Sequence, residues 1–271
     1  MKKLRLGLTL IELVVVVAIL GVLAAMLLPK FENLTNAVNH TAAGSSMTDV
    51  AKAIMTPYAK TRTYPNRWDS LTDGTALWPA ASVGAQTKGL HTQLVGSTGK
   101  LAMGVALTDA QVKALSDAGI STVLNVPSGA ATGSPRAGDA FITPVTITTG
   151  MQLAVINNAS PGGIKIIDRI YRNNQLPSPN GVSGAIASTP TTPAGDATAQ
   201  LIVFGLGPQS SLIPSSMMEA PTYAGAHATY VYNRLLVVFE LTASKVTFKT
   251  VLGADGDLLD DLTVNMQTAA N

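Results

Sequence analysis

Apolar positions crowd the start of the chain and then change rhythm. Residues 8–28 read LTLIELVVVVAILGVLAAMLL, with one charge, Glu12, and Pro29 comes directly after. At ~1.5 Å per residue a helix over this run reaches roughly 30 Å, the thickness of a bilayer core. Beyond Pro29 the pattern thins to a stripe. Phe31, Leu34, Val38, Met47, Val50 and Ile54 fall mostly at three- and four-residue steps, with Asn33, Asn36, Asn39 and Lys52 off that line. The spacing predicts one long helix over 8–56 that stops at Pro57. Its second half should pack on a globular head over 57–271, while the first half stays exposed in the monomer.

Later segments show shorter periods and turn signals. Residues 64–74 (YPNRWDSLTDG) read as a loop feeding a short helix or turn, with Trp68 and Trp78 as core or subunit-contact aromatics. Thr108 is a fitting N-cap with Gln111 three later, as in a capping box, and Gly119 is a natural C-terminal stop. Residues 120–126, 141–149, 151–156 and 200–204 read as strands, and 164–171 suits strand or helix. Small, Pro/Gly-rich sequence over 127–138 reads as a loop. Residues 173–199, rich in Pro, Gly, Ser and Thr, read as a long surface excursion suited to partner-facing or glycan-bearing structure. Residues 229–241 and 245–252 look like hairpin arms around Thr242-Ala243-Ser244, forming the sheet on which the helix packs. No internal repeat or second domain stands out, and the pattern gives an α+β class.

Three readings compete for the opening segment. A cleaved secretory signal would use the basic start (Lys2, Lys3, Arg5). The apolar stretch is too long for one, however, and no small-x-small cleavage site comes after it. A plain anchor explains length and orientation but not Glu12, a carboxylate that is costly in lipid. The third reading is a signal cut on the cytoplasmic side, before the apolar run, so that the run stays on the mature protein.

The string Gly7-Leu8-Thr9-Leu10-Ile11-Glu12 resembles the processing site of type IV pilins and type II secretion pseudopilins. The resemblance covers roughly the first 35 residues and implies a leader over 1–7. It further implies cleavage after Gly7 by a prepilin peptidase and N-methylation of Leu8. Glu12 then falls fifth in the mature chain, and Pro29-Lys30-Phe31 stands where the family has a helix-perturbing proline and a similar pair. The family more often begins its mature chain with Phe than with Leu. The implied fold is a long N-terminal α-helix, part membrane or filament core (8–28) and part amphipathic, packed on a β-rich head with an antiparallel sheet.

The physical chemistry of the segment agrees. A cut before Leu8 creates an ammonium at the edge of an apolar helix. Pairing it with a neighbour's Glu12 neutralises two charges that are each expensive in low dielectric and fixes axial register. Pro29 removes a helical hydrogen bond, and Gly21 weakens the helix by ~1 kcal/mol relative to Ala. The stretch from Gly21 to Pro29 is expected either to lose helicity in a filament or simply to kink.

Composition adjusts this picture in three places. The net charge of +2 falls to −1 once Lys2, Lys3 and Arg5 are removed, leaving 15 basic against 16 acidic side chains. That balance makes no electrostatic case for nucleic acid. There is no cysteine, so an extracytoplasmic head must hold together without disulfides, unlike the many pilins that staple a C-terminal loop. Charged residues are only 13% while apolar content is high, which suits a packed head more than a disordered tail.

Candidate chemistry is sparse. His40, His91 and His227 are scattered without metal spacing. Gly181-Val182-Ser183-Gly184 lacks the last glycine of a nucleophile elbow, and Gly99-Lys100 is only a fragment of a phosphate loop. No nucleophile, base and orienter assemble, so an enzyme is not expected. The sequons at Asn33 and Asn39 lie on the assembly-facing helix and read as chance. One polar cluster has substance: Asp255, Asp257, Asp260 and Asp261 come after Gly253-Ala254 and could offer oxygens to calcium, as some major pseudopilins do in a C-terminal loop. The competing reading is a strand-ending turn whose aspartates cap the next helix.

The sequence therefore points to a structural filament subunit with no cofactor other than possible calcium. Its processing residues would be Gly7 and Leu8, and its assembly residues Glu12, Gly21 and Pro29. Its expected partners are copies of itself, the inner membrane before assembly, the prepilin peptidase and the pilus or secretion machinery. A membrane-tethered monomeric binding protein and a minor tip adhesin are the alternatives.

Overall fold

The computed structural model describes residues 10–82, 88–126, 141–171, 199–223 and 230–259, with the backbone alone over 26–37, 40 and 214. A single helix, α1 (Leu10–Thr61), is continuous through Gly21, Pro29 and Pro57. Its end departs from expectation, because Pro57 does not stop it. The lost hydrogen bond is offset by what the extra turn brings: Tyr58 stacks on Tyr64 with ring centroids 4.3 Å apart. The helix stops instead at Arg62, whose backbone turns left-handed (φ 60°) while its N–H still donates to the Tyr58 carbonyl at 2.9 Å.

The head is α+β, built on one sheet of eight strands. These are β1 (Trp68–Asp69), β2 (Leu101–Met103), β3 (Thr122–Asn125), β4 (Thr143–Thr146), β5 (Ala154–Ile156), β6 (Gln200–Gly205), β7 (Leu236–Leu241) and β8 (Val246–Leu252). The sheet forks at β6. Along one edge β6 pairs with β7 over its whole length; its other edge is shared between β5, at Ile202, and β1, at Gly205. Beyond β5 lies β2, and beyond β1 lie β3 and then β4. All pairs are antiparallel except β1–β3, so the sheet is mixed rather than purely antiparallel.

That parallel pair explains why residues 64–74 do not form the expected short helix or turn alone. Asn66 ties them to the neighbouring strand: its Oδ1 accepts from the backbone N–H of Thr122 at 2.9 Å and of Ser121 at 3.2 Å. Left-handed backbone at Arg67 and Leu71 (φ 61° and 62°) brackets the two strand residues. The expected hairpin forms as β7–β8 around Thr242, whose N–H and hydroxyl both bond the Lys245 carbonyl. Its first arm begins at Leu236, later than the pattern suggested. Lys249 is an extra residue opposite Val238 and Phe239, a bulge that shifts the side-chain phase of β8. Phe248 and Val251 consequently both join the helix-side core.

Among the described residues the head also holds three shorter helices, α2 (Asp109–Asp117), α3 (Pro161–Tyr171) and α4 (Leu212–Ser215). The capping box at α2 forms as expected, with Gly119 (φ 92°) just past its end. The ambiguous 164–171 segment is helical. Ser160 caps it by accepting from Gly163 N–H at 3.1 Å, and Pro161 opens it, an N-terminal signature that outweighs the β-branched run. Alternation divides the core into two layers. Ile202, Phe204, Val237 and Phe239 face α1 and α2, while Leu201, Val203, Leu236 and Val238 face α3 and the loops before β2. The predicted loops over 127–138 and 173–199 lie outside the described residues, apart from Ala199.

Candidate functional site

The two halves of α1 meet different environments. In the second half, Ala43, Met47, Val50 and Ile54 are buried on the sheet, and the helix lies against β8. Val38, predicted on the same stripe, is exposed, and the Phe31 and Leu34 side chains lie outside the described residues. In the first half, every residue from Leu10 to Ala25 is exposed. The eleven large apolar side chains between Leu10 and Leu23 are 49–81% exposed. At ~1.5–3 kcal/mol for each side chain taken fully out of water, covering them is worth on the order of 10–20 kcal/mol. That rivals the ~5–15 kcal/mol net stability of a whole domain, so this surface requires a non-aqueous neighbour.

The predicted assembly residues sit on this bare half or at its end. Glu12 is exposed in the first turn of α1. At Gly21 an added Cβ would meet nothing within 4 Å, so the head gives no reason for a glycine there. Pro29 lies within the continuous helical backbone. Gly7 and Leu8 lie outside the described residues. Among the described residues, no helix is long and apolar enough to cross a membrane. Described apolar side chains run from Leu10 to Ala25, which is ~24 Å of helix against the ~30 Å of a hydrocarbon core.

The C-terminal aspartates are partly placed. Asp255 and Asp257 belong to a turn just after β8, in which Gly253 N–H donates to the Asp257 carbonyl at 2.9 Å. Asp257 N–H donates to Asp255 Oδ1 at 3.1 Å. Lys100, the residue just before β2, reaches into this turn and pairs with Asp257 at 2.7 Å. Burial, then the charges of Asp255 and Asp257, hold the Tyr223 phenol above its ordinary range. Asp260 and Asp261 lie outside the described residues. No group of three or more metal-ligating side chains occurs among the described residues.

Two polar clusters escaped the sequence reading. Asp69 is fully buried beside the sheet fork, where Tyr232 donates to its Oδ2 at 2.7 Å. Its Oδ1 has no hydrogen-bond partner among the described residues. Burial pushes this carboxyl up to about 8, opposed by the Tyr232 hydrogen bond and the Arg234 charge. The close approach is built in, since a Cβ at Gly207 would collide with the Asp69 carboxylate. Glu240, on β7, accepts from the Tyr171 hydroxyl at 3.1 Å and pairs with Lys249 at 2.6 Å, which fastens the end of α3 to the hairpin. The only sequence hint for the second cluster was the charge breaking the apolar run of β7. A lone Asp after a Trp gave none for the first.

One half of the helix is seated on a mixed-sheet head, and the other half is left bare and apolar. Residues 2–28 match the family model of the prokaryotic N-terminal methylation motif, the prepilin-type signature of type IV pilins and pseudopilins. The match ends with the apolar run at Leu28, so the head lies beyond it. No curated protein and no solved structure matches the chain.

Proposed function

We propose that the chain is a structural subunit of a type IV pilus-like or type II secretion-like filament. The observation that supports this reading is the bare apolar half of α1, which lies within the residues that match the methylation motif. The precursor is held in the inner membrane by residues 8–28. A prepilin peptidase cuts after Gly7, Leu8 is N-methylated, and the pilus or secretion machinery packs the helix against copies of itself outside the cytoplasm. Because the donor state is already lipid, the net gain comes from close packing and paired charges more than from water exclusion. Gly21, open in the single chain, offers neighbouring helices a close approach. The new ammonium of Leu8 and a neighbour's Glu12 set the axial register, and the Gly21–Pro29 stretch gives up helicity as copies pack.

Substitution of Glu12 tests the reading. Glu12→Leu and Glu12→Ala should leave precursor in the inner membrane with a folded head but give no fibres by electron microscopy of sheared material. Mass spectrometry of native protein should show an N-methylated Leu start. Normal fibres from both variants, or mature protein still bearing residues 1–7 as a lone membrane-bound chain, would overturn it in favour of a tethered monomer.

A further inference from the structure

The turn after β8 is closed by a side chain from far away in the sequence. Three oxygens converge on Lys100 Nζ: Asp257 Oδ1 at 2.7 Å, the Asp255 carbonyl at 2.8 Å and Gln93 Oε1 at 2.9 Å. An ammonium has three donors and no acceptor, so these oxygens fill its capacity. The pair is sheltered, with side chains 14% and 26% exposed, whereas the surface pair Lys113–Asp117 is 75% and 64% exposed. Both ends of the lysine are fixed. Its backbone N–H donates to the Gln93 carbonyl, and its carbonyl accepts from Asn157 N–H at 2.8 Å. Its stem is enclosed by glycines: a Cβ at Gly256 would meet Cδ at 2.8 Å, and one at Gly162 would meet Cγ at 3.0 Å. Gly256 is left-handed (φ 80°), so the turn bends onto the lysine at a residue that has no side chain to obstruct it.

We propose that Lys100 is the resident cation of the C-terminal turn, its ammonium occupying the place among the Asp255, Asp257 and Gln93 oxygens that a metal ion would take. The geometry does not fit calcium and Lys100 together. A divalent ion ligated by Asp257 Oδ1 and the Asp255 carbonyl would sit against a positive charge, and the lysine would have to leave. The head therefore closes the turn after β8 with a covalently attached charge and needs no divalent ion for it. This inference concerns the head alone and stands apart from the filament reading.

The test uses the full-length chain in detergent. Neither chelation by EDTA nor millimolar calcium should move the thermal midpoint by more than a degree. Lys100→Met keeps the stem and removes the charge. It should lower the midpoint by several degrees and speed amide exchange over residues 253–258 by about tenfold, in line with the loss of charge-assisted bonds. In that background Asp257→Asn should add little, whereas alone it should weaken the same segment. Should Lys100→Met fail to fold, Gln93→Ala and Asp257→Asn supply the same exchange readout. A calcium-raised or EDTA-lowered midpoint of the wild type overturns the proposal. So do unchanged protection of 253–258 in the variants, and effects of Lys100→Met and Asp257→Asn that simply add.

Discussion

Within one unbroken helix, residues 10–25 and 43–54 differ in what they ask of their surroundings. The later segment confines its apolar residues to one line, Ala43, Met47, Val50 and Ile54, and the sheet answers that line. The earlier segment is apolar at nearly every position, and the head covers none of it. A stripe can be satisfied by one partner surface, here the chain's own head. An all-round apolar surface can be satisfied only by lipid or by several neighbours at once. The head's stability should therefore be indifferent to the first segment, and the chain's association should be governed by it.

The sharpest attempt to break this comparison places the same charge in each half. Val50→Asp buries a carboxylate at a position with no exposure and should unfold the head, seen as loss of the cooperative melting transition. Val16→Asp should leave that transition where it is, yet abolish membrane retention or fibre formation. Equal effects on head melting would mean the halves are not energetically separate.

Truncation sharpens the contrast at smaller scale. Ile54 is wholly buried, so Ile54→Ala should cost ~2–5 kcal/mol by denaturant titration. Leu20 is 58% exposed, and Leu20→Ala should lie within ~0.5 kcal/mol in the same assay.

The seated half also presses on a sheet with a titratable weakness. The buried Asp69 carboxyl titrates near 8, well above the ~3.9 it has in an unfolded chain. Between those values the folded state keeps a proton that the unfolded state gives up. The stability this contributes is complete below about pH 4, declines as pH rises, and is gone above about pH 8. The slope cannot exceed ~1.4 kcal/mol per pH unit for one proton. Urea midpoints should fall from pH 5 to pH 8, and Asp69→Asn should flatten the trend. A wild-type midpoint that is level or rising over that range would show the carboxyl to be ionised.

How much of this was legible beforehand depends on the range of the interaction. The long helix, its buried stripe at Met47, Val50 and Ile54, the α2 capping box and the β7–β8 hairpin all arise from residues a few positions apart, and local pattern exposes them. Pro57 misled because the stacking of Tyr58 on Tyr64 is not visible in the helix rule that proline obeys. The pairing of β1 with β3 rests on Asn66 reaching Ser121 and Thr122, and Lys100 reaches Asp257 across 157 positions. No periodicity reports such contacts. Gly99-Lys100 attracted notice only as a fragment of a phosphate loop, a motif it does not complete. Within the candidate site, the apolar run and Glu12 were plain from sequence; the partner of the C-terminal turn was not.

The gentlest probe compares two helical glycines, one in each half. Gly21 has open space around its missing Cβ, whereas a Cβ at Gly44 would meet the Leu259 side chain at 3.0 Å. Alanine is worth ~1 kcal/mol over glycine inside a helix, by lowering the entropy of the unfolded chain. Leu259 is 42% exposed, and its outer methyl can swing aside, so crowding returns only part of that gain. Gly44→Ala should thus raise head stability by somewhat less than ~1 kcal/mol in urea titration. Gly21→Ala should not move the head transition at all, because its surroundings are solvent or lipid and not the sheet. Its effect should appear as roughly fivefold slower amide exchange around residue 21. If subunits give up helicity between Gly21 and Pro29 as they pack, the same alanine must oppose assembly by the amount it stabilises the helix. Fewer or slower-growing fibres from Gly21→Ala, beside unaltered head melting, would place its contribution on assembly. Normal fibres with slower exchange would instead show that the helix enters the filament intact.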